Sequence, residues 1–281
     1  MAAYNAEAFF FSGVAGKLFA IHYKPADLGP DKSAVLLIPP FAEEMNKSRR
    51  TFSLLSRSLA SRGTHVLLLD LFACGDSEGE FAEARWNIWQ QDVQIAARWL
   101  RCQGADQVFA LGLRLGALLA LDVHCNGGER FDRLILWAPV VSGRLAMSQF
   151  LRLRLMAGLL GNEGKRETTK SLISLLQEGE PVEIAGYELP PALYTAINGL
   201  NMADFSGCSL PRTHWLELVQ DEGRAISPAS QRVLDAWRRN GTQVHADSIV
   251  GDPFWSTQEI TVIPCLLDKT LELVTGNCMD H

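Results

Sequence analysis

No stretch of the 281-residue chain approaches the roughly 18 consecutive apolar residues that a membrane span requires, so no transmembrane segment is expected. Met1–Leu18 has no basic residue before Lys17 and no sustained apolar core, so no secretory signal is expected in it. Basic stripes are missing as well. With a formal net charge of −6, the chain lacks the clustered Lys and Arg that displace counterions from nucleic acid. Its six cysteines, Cys74, Cys102, Cys125, Cys208, Cys265 and Cys278, stand apart without a CxxC pair or short Cys/His spacing. Neither a metal site nor a disulfide framework is therefore expected, no cofactor is implied, and the chain reads as cytoplasmic with reduced thiols.

What remains is the profile of a globular α/β domain, 47% hydrophobic and 21% charged. Ala8–Phe11 and Leu18–Lys24 flank a glycine-containing turn and read as a hairpin. Apolar runs at Ser33–Ile38, His65–Leu71, Val108–Leu113 and Leu134–Ala138 alternate with helical stretches at Ser48–Arg62, Ala84–Gly104 and Leu115–His124. That rhythm predicts a mostly parallel sheet of about eight strands with helices on both faces. It breaks between Ser142 and Phe205, where three helical pieces predict a cap (residues 142–205) inserted in a core of residues 1–141 and 206–281. The core resumes with strand His214–Gln220, helix Ser227–Arg239 and strand Thr242–Val250. A capping box at Ser256–Glu259 then predicts the last helix, running to about Val274.

The chain is organised around Val108–Ala117, where an apolar run drives through Gly112-Leu113-Arg114-Leu115-Gly116 into a helix. Small residues two before and two after a central position let that position sit on a strained turn. This layout resembles the nucleophile elbow of the α/β-hydrolases, and the order of elements resembles that superfamily over nearly the whole chain. More narrowly, Pro39–Arg50, Asp70–Gly79, Gly112–Ala117 and Gly251–Trp255 resemble the group called exosortase A system-associated hydrolase, type 2. The resemblance implies a bacterial cytoplasmic hydrolase-like protein linked to envelope polysaccharide or sorting functions. Its implied partner is either a small anionic ligand or a protein of that system.

The chemistry expected of such an elbow is absent. Arg114 stands at the central position, and a guanidinium, protonated at any physiological pH, cannot attack a carbonyl. Asp221 or Glu222 follows the strand where the triad acid belongs, but the histidine position before Phe254-Trp255 reads Gly251-Asp252-Pro253. His245 enters the last strand about six residues earlier, on the order of 20 Å from its carboxyl end at ~3.3 Å per residue. His65 and His214 also begin strands, while His22 belongs to the hairpin and His124 to a helix end. Cys74 has no base nearby in sequence, and Ser77 and Ser48 read as turn and N-cap residues.

The triad-equivalent positions are thus Arg114, Asp221 and Asp252, and the expected pocket residues are Phe41, Glu43, Glu44, Arg114, Leu115, Glu222 and Trp255. An arginine at a helix N-terminus beneath a cap calls for a negative partner. Two readings stay open for it: an internal ion-pair cluster with Glu43, Glu44 and Asp221, or a site for an anionic ligand. The basic cap segment Arg144, Arg152, Arg154, Lys165, Arg166 and Lys170 favours the second. Two function classes follow: a non-catalytic binding or scaffold protein, and an ester or thioester hydrolase or acyltransferase with an unrecognised nucleophile.

Overall fold

The computed structural model describes residues 4–27, 32–160 and 167–276. In chain order the elements are strands β1 (Tyr4–Ser12), β2 (Lys17–Pro25) and β3 (Ser33–Ile38), helix α1 (Glu43–Ala60), β4 (His65–Leu69), α2 (Trp86–Cys102), β5 (Gln107–Leu113), α3 (Leu115–Asn126) and β6 (Arg133–Trp137). Then come α4 (Gly143–Leu160), α5 (Thr169–Glu178), the short strands β7 (Val182–Ile184) and β8 (Tyr187–Leu189), α6 (Pro191–Asn198), β9 (Arg212–Val219), α7 (Pro228–Arg239), β10 (Val244–Val250) and α8 (Pro264–Thr275).

Eight strands form one sheet in the order β1-β2-β4-β3-β5-β6-β9-β10, and β7 and β8 pair separately. The β1–β2 and β2–β4 pairs are antiparallel, and the remaining pairs of the large sheet run parallel. All six residues of β3 are buried because the strand is covered on both faces. Ala34, Leu36 and Ile38 join the core beneath α2 and α3, whereas Val35 and Leu37 join the core beneath α1 and α8. Helix α3 is buried almost all round, which fits its lack of a polar stripe.

Three expectations need correction. Helix α1 starts at Glu43, five residues before the expected Ser48, because Ala42 makes the sharp entry turn at φ 50°. Glu43 and Glu44 then fill its first turn, where carboxylates suit the helix dipole. Ser48 consequently lies inside the helix and its hydroxyl donates to the Glu44 carbonyl at 2.8 Å. The last helix does not begin at the Ser256–Glu259 box. There the Thr257 hydroxyl donates to the carbonyls of Phe254 and Glu259, closing a turn, and α8 starts at Pro264, whose fixed φ suits the first helical position.

The third correction concerns the thiols, because Cys125 at the end of α3 and Cys208 before β9 form a disulfide. Folding brings together two residues 83 positions apart, a proximity that spacing alone does not reveal. Cys74, Cys102 and Cys265 are free, and Cys278 lies outside the described residues. No helix among the described residues is long and apolar enough to cross a membrane.

A candidate binding site at the elbow

Strand β5 delivers the chain to Arg114, which sits at φ 56° and ψ −118° immediately before α3. A non-glycine residue held there costs of order 1–3 kcal/mol and persists only when its surroundings fix it. They do so here. The Arg114 N–H donates to the Trp137 carbonyl at 2.9 Å, and its own carbonyl accepts from the Ala117 N–H at 3.1 Å. A Cβ at Gly112 would collide with the backbone of Gly116 and Ala117, and one at Gly116 with the carbonyls of Ile38 and Pro39. Both glycines are therefore required by close backbone approach.

The Arg114 side chain is one-fifth exposed and points beneath α4. Its Nε donates to Glu44 Oε1 at 3.3 Å, its Nη2 reaches Gln149 Oε1 at 3.5 Å, and the guanidinium lies over the Trp255 ring at 5.1 Å. Burial pushes the Glu44 carboxyl up to about 7 despite the opposing pull of Arg114. Burial also raises the Glu43 carboxyl, and Glu43 Oε2 is a buried atom with no hydrogen-bond partner among the described residues.

These groups line a cavity of about 440 Å3. Glu43, Glu44, Lys47, Arg114 and Gln149 give it a charged and polar side, and Phe41, Leu115, Val140, Met147, Phe150, Leu153 and Trp255 an apolar wall. Of the expected pocket residues, Phe41, Glu43, Glu44, Arg114, Leu115 and Trp255 line it, and Glu222 does not. Asp221 and Glu222 are exposed beyond the end of β9, and Asp252 is exposed in the loop after β10. Of the expected cluster of Glu43, Glu44 and Asp221, Glu44 is the carboxylate that pairs with Arg114 among the described residues.

The carboxylate that β9 does bring toward Arg114 is Glu217, which lines a second cavity of about 250 Å3 sharing Arg114, Val140, Ala146, Gln149 and Trp255 with the first. Its two oxygens accept from Trp215 Nε1–H at 3.1 Å and the Ser227 N–H at 2.8 Å. It lies within the expected strand His214–Gln220 and was assigned no role from the sequence. The α4 wall was missed too, although Ala146, Met147, Gln149, Phe150 and Leu153 recur at helical spacing. Of the basic cap residues, Arg144, Arg152 and Lys170 are exposed. Arg154 is bound by Glu167, with contacts of 2.6 and 2.8 Å, and none of these four lines either cavity. Lys165 and Arg166 lie outside the described residues.

The described histidines gather away from this site. His22 Nε2 and His65 Nδ1 are 2.8 Å apart, and His214 stacks on His245. His124 Nδ1 accepts from the Phe131 N–H at 3.1 Å, so its Nε2 is the nitrogen that donates to the Ser209 carbonyl, also at 3.1 Å. His281 is outside the described residues. Cys74 offers no nucleophile, because burial beside Asp70 and Asp92 pushes its thiol far above the usual range.

The second motif stretch is tied into the scaffold. Asp70 accepts from Arg49 Nη2 at 2.7 Å and from the Asp76 N–H at 3.0 Å. Ser77 donates to the Asp70 carbonyl at 2.7 Å and accepts from the Phe19 N–H at 2.8 Å.

An eight-stranded sheet, an intact elbow and a cavity beneath an overlying helix define the α/β-hydrolase fold. The family described as serine aminopeptidase, S33, matches residues 29–180, more than half of the chain, and the chain belongs to that family. No curated protein sequence matches it. Among solved structures, it is similar to a thermostable carboxyl esterase from Bacillus coagulans (TM-score 0.67, 14% identity, 98% of this chain and 99% of that one). It is also similar to Est1E from Butyrivibrio proteoclasticus (TM-score 0.64, 13% identity, 96% of both chains). A third likeness is to an α/β serine hydrolase homologue from Coxiella burnetii (TM-score 0.56, 14% identity, 97% of both chains).

Proposed function

We propose that this chain is a non-catalytic member of the α/β-hydrolase fold that binds a small anionic ligand in the cavity beneath α4. The observation that carries the reading is Arg114 at the elbow, held in the strained turn where a nucleophile would stand and engaged by Glu44. An acyl-transfer site needs a nucleophile, a base within hydrogen-bond reach of it and a group that orients the base. Among the described residues this cavity is lined by a guanidinium, two carboxyls, an ammonium group, the Gln149 amide and the Ser256 hydroxyl, with no imidazole to activate that hydroxyl and no cysteine.

The motif resemblance supports placing the protein in an exosortase A and exopolysaccharide-associated system of bacteria, with residues 142–205 acting as a cap unit over the cavity. A cytoplasmic location is part of the proposal. Cell fractionation should recover the chain with the cytoplasmic proteins, and recovery in a periplasmic or extracellular fraction would refute that location. The alternative, an ester or thioester hydrolase or acyltransferase, draws support from the likeness to esterases, which extends to the fold alone. A fluorophosphonate probe separates the two. The non-catalytic reading expects no labelling above a denatured control, and stoichiometric labelling of any serine would overturn it.

A further inference from the structure

The two cavities at the elbow form one cleft with a waist. Arg114, Val140, Ala146, Gln149 and Trp255 line both of them, so a single ligand can extend from one arm into the other past the guanidinium. The larger arm is walled by Phe41, Met147, Phe150 and Leu153, side chains without a charge to offer. The smaller arm carries Ser142, Glu217, Ser227 and Ser230. The larger arm also carries Glu43, Glu44 and Lys47, so its apolar wall faces a charged side.

The waist is not saturated. Glu44 engages Arg114 through Nε at 3.3 Å, and Gln149 reaches Nη2 only at 3.5 Å, the outer limit of a hydrogen bond. The Nη edge, which grips carboxylates and phosphates through two parallel N–H bonds, is therefore weakly used. Glu43 Oε2 lies buried on the same cavity wall without a partner. Burial shifts Glu43 toward its protonated form, and in that form its O–H can donate to an acceptor. An ammonium ligand would instead meet the like charges of Arg114 and Lys47.

We propose that the cleft takes an anionic amphiphile, with an aliphatic chain in the arm walled by Phe41, Met147, Phe150 and Leu153 and a carboxylate or phosphate head on the Nη edge of Arg114. Any polar extension of the head enters the arm of Ser142 and Glu217. This inference rests on the binding reading above and names its ligand class.

The test is calorimetric titration of the full chain with decanoate, decyl phosphate, decan-1-ol, decyltrimethylammonium and acetate, each below its micellar concentration. Decanoate or decyl phosphate should bind at least about tenfold tighter than decanol, decyltrimethylammonium and acetate, and the tighter of the two anions identifies the head. Arg114→Gln should remove that advantage while leaving decanol unchanged, and Phe150→Ser should weaken both anions and decanol alike. Equal binding of decanol and the anions, tighter binding of the ammonium, acetate binding as well as decanoate, or no binding of either anion would each overturn the proposal. The comparison among ligands needs no variant, so misfolding of Arg114→Gln cannot obscure it. The outcome is also independent of the fluorophosphonate result: an unlabelled protein that ignores both anions would fail here while leaving the non-catalytic reading intact.

Discussion

The two ends of the parallel sheet hold opposite chemistries. At the amino end, His65, His214 and His245 begin or nearly begin their strands, and His22 leans on His65 from β2. Burial drives His22 down to about 4 and His214 down to about 3, so those two rings are neutral at pH 7 in the folded protein. At the carboxyl end stand Arg114 and two carboxyls raised by burial, with no imidazole among the described residues. The chain therefore keeps the elbow geometry of a hydrolase while its described imidazoles lie at the far end of the sheet. Strained geometry of this kind identifies a site without identifying a reaction, and the reaction must be read from the groups that occupy it.

The largest expected effect lies on the amino side, where the Cys125–Cys208 bond spans 83 residues. Oxidised protein should lose about 4 kcal/mol on Cys125→Ser by chain entropy, measured by urea denaturation without reductant. Thiol titration in denaturant should count four of the six cysteines before reduction and six after. A loss under 1 kcal/mol would show that the bond does not constrain the unfolded chain.

Next comes Gly116→Ala at the elbow, whose new methyl would meet the carbonyls of Ile38 and Pro39, two backbone atoms that cannot swing aside. A loss of about 3 kcal/mol is expected in the same melts. A neutral result would mean that the approach of α3 to β3 is not tight.

The pH dependence sharpens the contrast, because the two ends are linked to protons with opposite sign. His214 ordinarily titrates at 6.5 when unfolded and at about 3 when folded, so the unfolded chain binds more protons between those values. Its contribution is present above pH 6.5 and is lost as pH falls toward 3. Glu44 rises from 4.5 to about 7, so the folded chain binds more protons and stability from this group grows as pH falls from 7 to 4.5. That shift corresponds to roughly 3 kcal/mol at full expression. Glu44→Gln should therefore steepen the loss of stability on acidification from pH 7 to 5, and His214→Phe should flatten it. Identical pH profiles for the two variants would erase the distinction between the ends.

A smaller effect is expected for Arg114→Ala. The abandoned Glu44 carboxyl can take a proton near neutral pH instead of remaining a trapped charge, which limits the loss to about 1–2 kcal/mol. A loss above 4 kcal/mol would mean that Glu44 stays ionised.

The sheet was readable because β3, β5 and β6 are apolar runs buried on both faces, a pattern no surface segment imitates. The β7–β8 hairpin was not, since its tight turn places Ala185 at φ 50° and Gly186 at φ 85° without the Asn-Gly pair that usually marks such turns. Phe41, Glu43, Glu44 and Leu115 could be placed at the cavity from their positions next to strand ends. Glu217 could not, because its role depends on a strand facing a cavity. Nor could the α4 wall, because which face of that helix turns inward is decided by tertiary packing. The Cys125–Cys208 pairing likewise depends on two distant segments meeting at the end of α3.

Reaction of the purified 281-residue chain with a fluorophosphonate, beside Arg114→Ser, tests the central claim most directly. The wild type should remain unlabelled, and Arg114→Ser should stay within about threefold of it in p-nitrophenyl acetate hydrolysis, because restoring a hydroxyl at the elbow supplies no base to deprotonate it. Stoichiometric labelling of the wild type, or sustained turnover by Arg114→Ser, would contradict the account by revealing a base at the carboxyl end of the sheet.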